Sequence, residues 1–434
     1  MKNITIIFCA ILLSAGFSNA QQTIGLDDCI EIALKNNFQI QRAENNVLIS
    51  KSNRVQAMMN YLPNLNASAN WNVIFGTLFD QNSGNFVNTT TRNSSPSIGS
   101  NLEIFNGLRN TFQYKQSRYQ EESSQHTLES SYLDTKSNVL GAYLNVLLDR
   151  ERVKIAEIRI NLLSSQLQRE IKRESVGIGN MESVYNFKSQ IANEKLNLVN
   201  LQNTFKSDKL RLIQLMGLND GEKYDIEEYT LPETEFVQNE SSFGDILNSA
   251  LVYSPAIKSS ESDLNASKYG LKSAYSNLSP SLSVYGEIGS RFSSNNEGAY
   301  FEQVERNRYT FVGFSLDVPL FNRFSNKNNI QVARLTMYNA EITKNETEQT
   351  VKNNIQQVYL DLVAAQETYQ ASIENLKALE QSFTFVNKRY EEGLTDFYTY
   401  LESLNNKNRA EIELANAKYS IVFRKKILDL MQGI

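Results

Sequence analysis

Histidine and cysteine carry much of the acid–base, metal-binding and nucleophilic chemistry open to a protein near neutral pH. This 434-residue chain has one His, His126, and two Cys, Cys9 and Cys29. His126 falls in a polar stretch that reads as helix surface. No His, Cys and carboxylate residues stand at metal-ligand spacing, no glycine loop follows a strand to cradle a phosphate, and no nucleophile elbow occurs. Gly177-Ile178-Gly179 separates two helical patterns, so it reads as a tight turn rather than a phosphate loop. The sequence therefore offers no catalytic residues and calls for no metal or cofactor.

The formal charge of -5 is spread over interspersed signs, which argues against a nucleic-acid partner. Residues 1–20 read as a signal peptide: Lys2, an apolar run from Ile4 to Phe17, then Ser18-Asn19-Ala20. Cys9 sits inside that run behind bulky Phe8, so a lipid anchor is not expected. Cys29 would then be alone in the exported chain, without an intrachain disulfide, and reads as a small buried apolar residue. No later stretch approaches the apolar length of a transmembrane helix, so any membrane role would have to use a β-barrel.

What the elements must position follows from an internal repeat over 26–218 and 243–434. Ala33-Leu34 recurs as Ala250-Leu251, Ile40 as Ile257 and Pro63 as Pro280, each 217 residues on. After Leu65 and Leu282 the offset is 216: Phe105-Asn106 matches Phe321-Asn322, Arg173 matches Arg389, Gly177 matches Gly393, and Gly217 matches Gly433. Turn residues and apolar residues recurring at one spacing mean that both halves make the same fold. The expected segments are helices over 21–62, two strands and an outer loop over 63–106, and a long helix, tip turn and return helix over 107–218. A connecting segment, 219–242, follows. The second copy repeats the order over 243–279, 280–321 and 322–434.

The strand segments alternate. Leu65, Ala67, Ala69, Trp71 and Val73 share one face of the first, with Asn64, Asn66, Ser68, Asn70 and Asn72 on the other; Leu282 and Val284 head the matching row in the second copy. Period two over about ten residues suits a barrel strand with a lipid face and a wet face. A soluble antiparallel sheet alternates in the same way. The segments Phe75 to Ser94 and Ser290 to Asn307 read as long polar loops. Four strands cannot close a barrel, so a barrel reading requires several chains. In the long helices, Val351, Ile355, Val358, Leu362 and Ala365 step by four and three, as do Val139, Ala142 and Val146. Sustained over about 65 residues, that spacing is coiled-coil packing along a rod of about 100 Å.

The order of elements, the duplication and the turns resemble the TolC-like outer membrane factor family, the exit ducts of tripartite efflux pumps and type I secretion systems. Arg389-Tyr390-Glu391-Glu392-Gly393-Leu394-Thr395-Asp396 is similar to that family's R-Y-x-x-G turn, and Glu413-Leu414-Ala415-Asn416-Ala417-Lys418-Tyr419 to the helix that follows it. The resemblance implies an α+β membrane protein: a tandemly duplicated, long α-helical coiled-coil barrel with transmembrane β-barrel strands, four per chain, closed as a homotrimer. It implies an outer-membrane location with the helices in the periplasm, a periplasmic adaptor (membrane fusion) protein and an inner-membrane transporter as partners, and outer-membrane lipid around the strands. Gly177, Ile178, Gly179, Gly393, Leu394 and Phe397 would form the adaptor-docking tip, with Leu394 and Phe397 exposed there or, in the alternative, packed within it. Glu402, Tyr390, Asp396 and Glu391 would be gate candidates. Glu402 is equally a solvated helix carboxylate, and Tyr390 the last residue of the coiled-coil seam. The contrasting reading of the whole chain is a soluble periplasmic coiled-coil scaffold without transport.

Overall fold

A computed structural model describes residues 22–80, 84–218, 224–227 and 242–434. The expected signal peptide and most of the connecting segment lie outside the described residues. In chain order the first half holds β1 (Gln22–Ile24), α1 (Leu26–Asn36), α2 (Phe38–Met59), β2 (Asn66–Ser68), β3 (Trp71–Asp80), β4 (Asn85–Ser94), β5 (Ser97–Phe105), α3 (Arg109–Ser175) and α4 (Met181–Leu215). After β6 (Tyr224–Ile226) come α5 (Phe243–Tyr253), α6 (Pro255–Ser276), β7 (Ser281–Gly289), β8 (Phe292–Ser293), α7 (Tyr300–Arg306), β9 (Tyr309–Asp317), α8 (Ser325–Glu391) and α9 (Phe397–Gln432). Two compact units result, and neither is a sequence repeat. One gathers the described parts of Met1–Ala43, Leu128–Pro255 and Glu348–Ile434, the other Glu44–Thr127 and Ala256–Thr347.

In the first unit the repeat is visible as equivalent buried positions. Val139 and Val146 on α3 pack with Cys29 and Ala33 on α1 and Leu212 on α4. Their counterparts Ile355, Leu362, Ala250 and Leu428 build a second cluster of the same make-up. Full burial of a Val, Leu or Ile side chain stabilises by about 1.5–3 kcal/mol, so these seams hold the helices in register. Cys29 is wholly buried, and loss of water around the thiol pushes its pKa up to about 12. The short helices start where the sequence supplies a cap: Ser242 Oγ accepts from the Asp245 N–H at 3.2 Å, and Asp27 and Asp28 occupy the first turn of α1. β1 and β6 pair in parallel and close the edge of the first cluster with Ile24 and Ile226. A polar contact lies deeper along the bundle, where Arg159 on α3 pairs with Glu194 on α4 at 3.0 Å.

The second unit contains a four-stranded antiparallel sheet in the order β2-β5-β7-β9 and a three-stranded sheet in the order β3-β4-β8. In the first, Leu102 pairs with Val284 and Val284 with Phe314; Ile98 pairs with Ile288 and Leu282 with Leu316. One face therefore carries Ala67, Ile98, Leu102, Leu282, Val284, Ile288, Val312, Phe314 and Leu316. The other carries Asn66, Ser68, Asn101, Glu103, Ser283 and Glu287, together with Tyr285, Tyr309 and Phe311. Two of those aromatic rings rest over glycines on the neighbouring strand: a Cβ on Gly289 would stand 2.5 Å from the Tyr309 hydroxyl, and one on Gly313 2.9 Å from the Tyr285 ring.

The strand expected over Asn64 to Val73 divides at Ala69-Asn70. Its first part, β2, joins β5, whereas Trp71 and Val73 belong to β3 and the other sheet. Trp71 stacks on Phe292 at 5.8 Å and 15°. The row read as one lipid face is thus shared between two sheets, with Ala69 in the break. The segment expected as a polar loop from Phe75 to Ser94 is instead a hairpin pairing Trp71–Asp80 with Asn85–Ser94 along its full length. Its Asn and Thr residues are polar, but β-branched Thr89-Thr90-Thr91 suits an extended chain, and every residue of the two strands finds a cross-strand partner.

Glycine positions separate two opposite effects of one substitution. Gly107 has φ +65°, and a Cβ there would lie 2.5 Å from that of Ser279; Gly141 lies inside α3 with ordinary van der Waals room beside Phe423. Gly107→Ala is expected to lower stability by about 1–3 kcal/mol. Gly141→Ala is expected to raise it by about 0.5–1 kcal/mol, because alanine loses less backbone entropy in a helix. Thermal unfolding of the two purified variants beside the parent checks the pair, and shifts of the same sign would refute the assignment.

Candidate functional site

α3 and α8 end in the same way. The Ile178 N–H donates to Arg173 O at 3.1 Å and the Gly177 N–H to Glu174 O at 2.9 Å; 216 residues on, the Leu394 N–H donates to Arg389 O at 2.8 Å and the Gly393 N–H to Tyr390 O at 3.0 Å. This six-to-one and five-to-two pair of bonds needs a left-handed residue after the helix. Gly177 at φ +78° and Gly393 at φ +77° supply it. Gly179 is required for a different reason, since a Cβ there would run into the backbone of Arg173 and Glu174. Each return helix then starts on an Asx cap: Asn180 Oδ1 accepts from the Glu182 N–H at 2.9 Å, and Asp396 Oδ1 from the N–H groups of Tyr398 and Thr399 at 2.8 and 3.0 Å. The bonds from Thr399 and Tyr398 hold the Asp396 carboxyl below its ordinary pKa.

The two turns are joined by polar links that run from α3 to α8. Gln166 Nε2 donates to Asn387 Oδ1 at 3.0 Å, Arg169 pairs with the Glu391 carboxylate, and Arg173 Nη1 donates to the Glu391 carbonyl at 3.3 Å. Arg389, the repeat counterpart of Arg173, stays in its own turn and donates to Leu394 O at 3.3 Å. The hydrogen bond from Arg169 is the main cause of a lowered Glu391 pKa. Beneath these links lies an aromatic core. Phe187 meets Phe397 edge-on at 4.7 Å and Tyr390 at 6.0 Å, and Tyr390 lies 4.9 Å from Tyr400. Burial pushes the Tyr390 hydroxyl up to about 12, so it stays protonated. A cleft of about 380 Å³ separates the turns and is lined by both, including Ile178, Asn180, Gly393 and Asp396.

The expected tip residues thus come together. Ile178 and Leu394, equivalent in the repeat, are 71% and 62% exposed, as a contact surface requires. Phe397, read either as exposed beside them or as packed within the tip, takes the second place: it is only 8% exposed, because its ring is the edge partner of Phe187. Of the gate candidates, Tyr390 is buried in this core, Glu391 is tied to Arg169, Asp396 caps α9, and Glu402 lies exposed on α9. The repeat comparison missed Phe187, whose counterpart is Ser403, and Arg169, whose counterpart is Phe385. It also passed over exposed Val176 and Tyr398, which widen the apolar surface of the turns.

The sequence profile of the outer membrane efflux protein family matches residues 29–218 and 246–431. An uncharacterized protein of Haemophilus influenzae is 22% identical over 337 residues, which cover 76% of this chain and 70% of that protein. Among solved structures, the outer membrane protein VceC of Vibrio cholerae superposes with a TM-score of 0.81 at 15% identity, covering 94% of this chain and 96% of its own. The CmeC outer membrane channel of Campylobacter jejuni gives a TM-score of 0.73 at 17% identity, with 94% and 85% coverage. At those identities the likeness to the solved structures is one of fold.

The Arg169–Glu391 link gives a signed pH response. A carboxylate whose folded pKa is depressed contributes stability above its unfolded value near 4.3, and that stability is lost as pH falls through the lowered folded value. Limited proteolysis of the two turns should therefore speed up in the parent as pH is taken from 7 towards 3, using an acid-active protease. In Glu391→Gln the turns should be more open at pH 7 and change less on acidification. An unchanged pH response in the variant would remove the link from the account.

Proposed function

The chain belongs to the outer membrane efflux protein family, and from that premise we propose that it is an outer-membrane exit duct of a tripartite efflux pump or a type I secretion system. In this reading three copies give four strands each, β2, β5, β7 and β9, to one closed barrel, and their helices line a periplasmic tube. Solutes pass through the lumen without being modified. A periplasmic adaptor and an inner-membrane transporter engage the two turns, with Gly177, Ile178, Gly179, Gly393 and Leu394 at the contact and Phe397 supporting it from beneath. Opening separates the turns at Arg169, Arg173 and Glu391.

The observation that carries the reading is the four-stranded sheet. Its register collects Ile98, Val284, Val312, Phe314 and Leu316 on one face. Val312, Phe314 and Leu316 are left largely exposed, and among the described residues the outer edges of β2 and β9 have no strand beside them. An apolar face with open edges is unstable in water as an isolated sheet, whereas closure by further copies in lipid satisfies both. Leu196 and Val199 on α4 and Leu360 and Phe385 on α8 are exposed as well, which fits helices that close against neighbouring copies.

The barrel can be tested on adjacent residues of β7. Val284→Arg places a charge on the lipid face at a cost of about 2–4 kcal/mol near the midplane, whereas Ser283→Arg faces water. Chemical cross-linking in membranes should give one discrete trimeric band for the parent and for Ser283→Arg, and much less for Val284→Arg. Equal assembly of the two variants, or a stable monomer that needs no detergent, would favour the soluble scaffold.

The tip can be tested on two residues with different duties. Gly393→Val forces a β-branched side chain into the left-handed region, so the oligomer should form normally while export falls at least about tenfold, the effect of about 1.4 kcal/mol on docking. Glu402 from three chains around one narrow axis would hold cations. In planar bilayers the parent should be cation-selective, and Glu402→Gln should lower that selectivity and weaken block by multivalent cations. Full export by Gly393→Val would move docking away from the turns; unchanged selectivity in Glu402→Gln would make that side chain an ordinary helix-surface carboxylate.

A further inference from the structure

The polar face of the four-stranded sheet carries three aromatic rings in a row, an arrangement that water alone does not favour. Tyr285 meets Phe311 edge-on at 5.9 Å and 76°, and Phe311 lies parallel to Tyr309 at 6.2 Å and 6°. Two of the rings have a packing reason, since Tyr285 rests over Gly313 and Tyr309 over Gly289, where a ring covers backbone that glycine leaves bare. Phe311 has no glycine beneath it. Its register partner on β7 is Glu287, and it remains 42% exposed.

Beside Phe311 and Tyr285 a hollow of about 250 Å³ opens on the same face. Gly99 lies in its floor, where an added Cβ would meet nothing closer than 3.7 Å. Amides and hydroxyls line the rest, from Asn64, Asn66, Ser68, Ser97 and Asn101. The Ser68 and Ser97 hydroxyls stand 3.1 Å apart, and Asn64 Oδ1 accepts from the Asn101 N–H at 2.7 Å. The side chains of Asn66 and Asn101 are left without a hydrogen-bond partner among the described residues. Charges near the rings are balanced: Glu287 accepts from the Tyr309 hydroxyl at 2.8 Å, and Arg291 holds its guanidinium 5.2 Å from the centre of the Tyr309 ring. On the same face Glu103 is tied to Arg109 at 2.8 Å, and Asp317 stands at the other end of β9.

We propose that this hollow is a binding subsite for neutral carbohydrate on its way through the duct. One side of a pyranose ring is made of C–H bonds and stacks on an aromatic face, while its hydroxyls need donors and acceptors around the edge. Phe311 and Tyr285 offer the first, and the Asn and Ser side chains offer the second. A sugar brings no charge into a site whose charges are already paired, whereas an organic cation would share it with the Arg291 guanidinium. The face that holds the hollow is the one the barrel reading turns towards water, so the subsite rests on that reading and adds a class of cargo to it. Its few contacts suit passage, because a solute in transit must bind well enough to enter and loosely enough to leave.

Current through single pores in planar bilayers tests the subsite, with maltotriose as the probe. The full-length protein is reconstituted, and the open current recorded before sugar is added shows whether a pore has formed. Maltotriose should interrupt the current of the parent in brief blocks whose frequency rises with its concentration. Phe311→Leu keeps apolar bulk but removes the stacking face, and Gly99→Val fills the hollow from its floor; each should weaken the block at least about fivefold. The second variant keeps the test decisive should the first fail to assemble. A conducting parent that maltotriose does not interrupt, or undiminished block in either variant that conducts, would overturn the subsite and leave the barrel standing. Block by tetraethylammonium that weakens in the same two variants, with no effect of maltotriose, would overturn it in favour of a cation site. Absence of any conducting pore would overturn the barrel reading and the subsite with it.

Discussion

A strand turns alternate side chains to opposite faces, so the pairing register of a sheet decides where every side chain on it goes. In this chain the rest of the structure depends on that register. Leu102, Val284 and Phe314 fall on one line across three strands because β5, β7 and β9 pair without slipping at that point. A slip of one residue would bring Glu103, Ser283 and Ser315 to the apolar face in their place. The one irregularity, between Glu103 and Phe105, comes where β5 is about to leave the sheet, and there it lets both Ile104 and Phe105 stay exposed.

The duplication acts differently in the helices and in the turns. Along the seams it is conservative: Val139 and Ile355, Val146 and Leu362, and Leu212 and Leu428 fill equivalent places in two clusters. At the turns the backbone is repeated while the side chains divide the work. One repeat supplies Phe187, the other Tyr390, Phe397 and Tyr400, and only together do they make a packed aromatic core. Backbone hydrogen bonds need only a glycine in the right place, so they survive divergence. A shared core needs complementary shapes, so its two sides have moved apart.

That difference explains what the sequence could reveal. The long helices, the left-handed glycines and the alternation of the strands are local or periodic, and all were readable. The break at Ala69-Asn70 was not, because the alternation runs through it unchanged while the pairing partner switches from β5 to β4. Nor was the burial of Phe397, which depends on Phe187 more than two hundred residues earlier and leaves no local trace. The hairpin over Trp71 to Ser94 was hidden by its composition: Asn and Thr read as loop in isolation, yet they serve well in a strand once another strand lies opposite.

The ion pair between Arg169 and Glu391 has no mirror image. Residues at the repeat-equivalent positions are Phe385 and Ser175, and the Ser175 hydroxyl bonds only back to Lys172 O of its own helix, at 2.8 Å. Two separate genes for two half-length chains could have mixed in any order around a ring, and a single half-length gene would have had to use the same groove everywhere. Fusion into one polypeptide fixes the order. Each chain carries its electrostatic clasp on one side of the hairpin pair and lacks it on the other, so a ring of such chains would have grooves of two kinds in strict alternation.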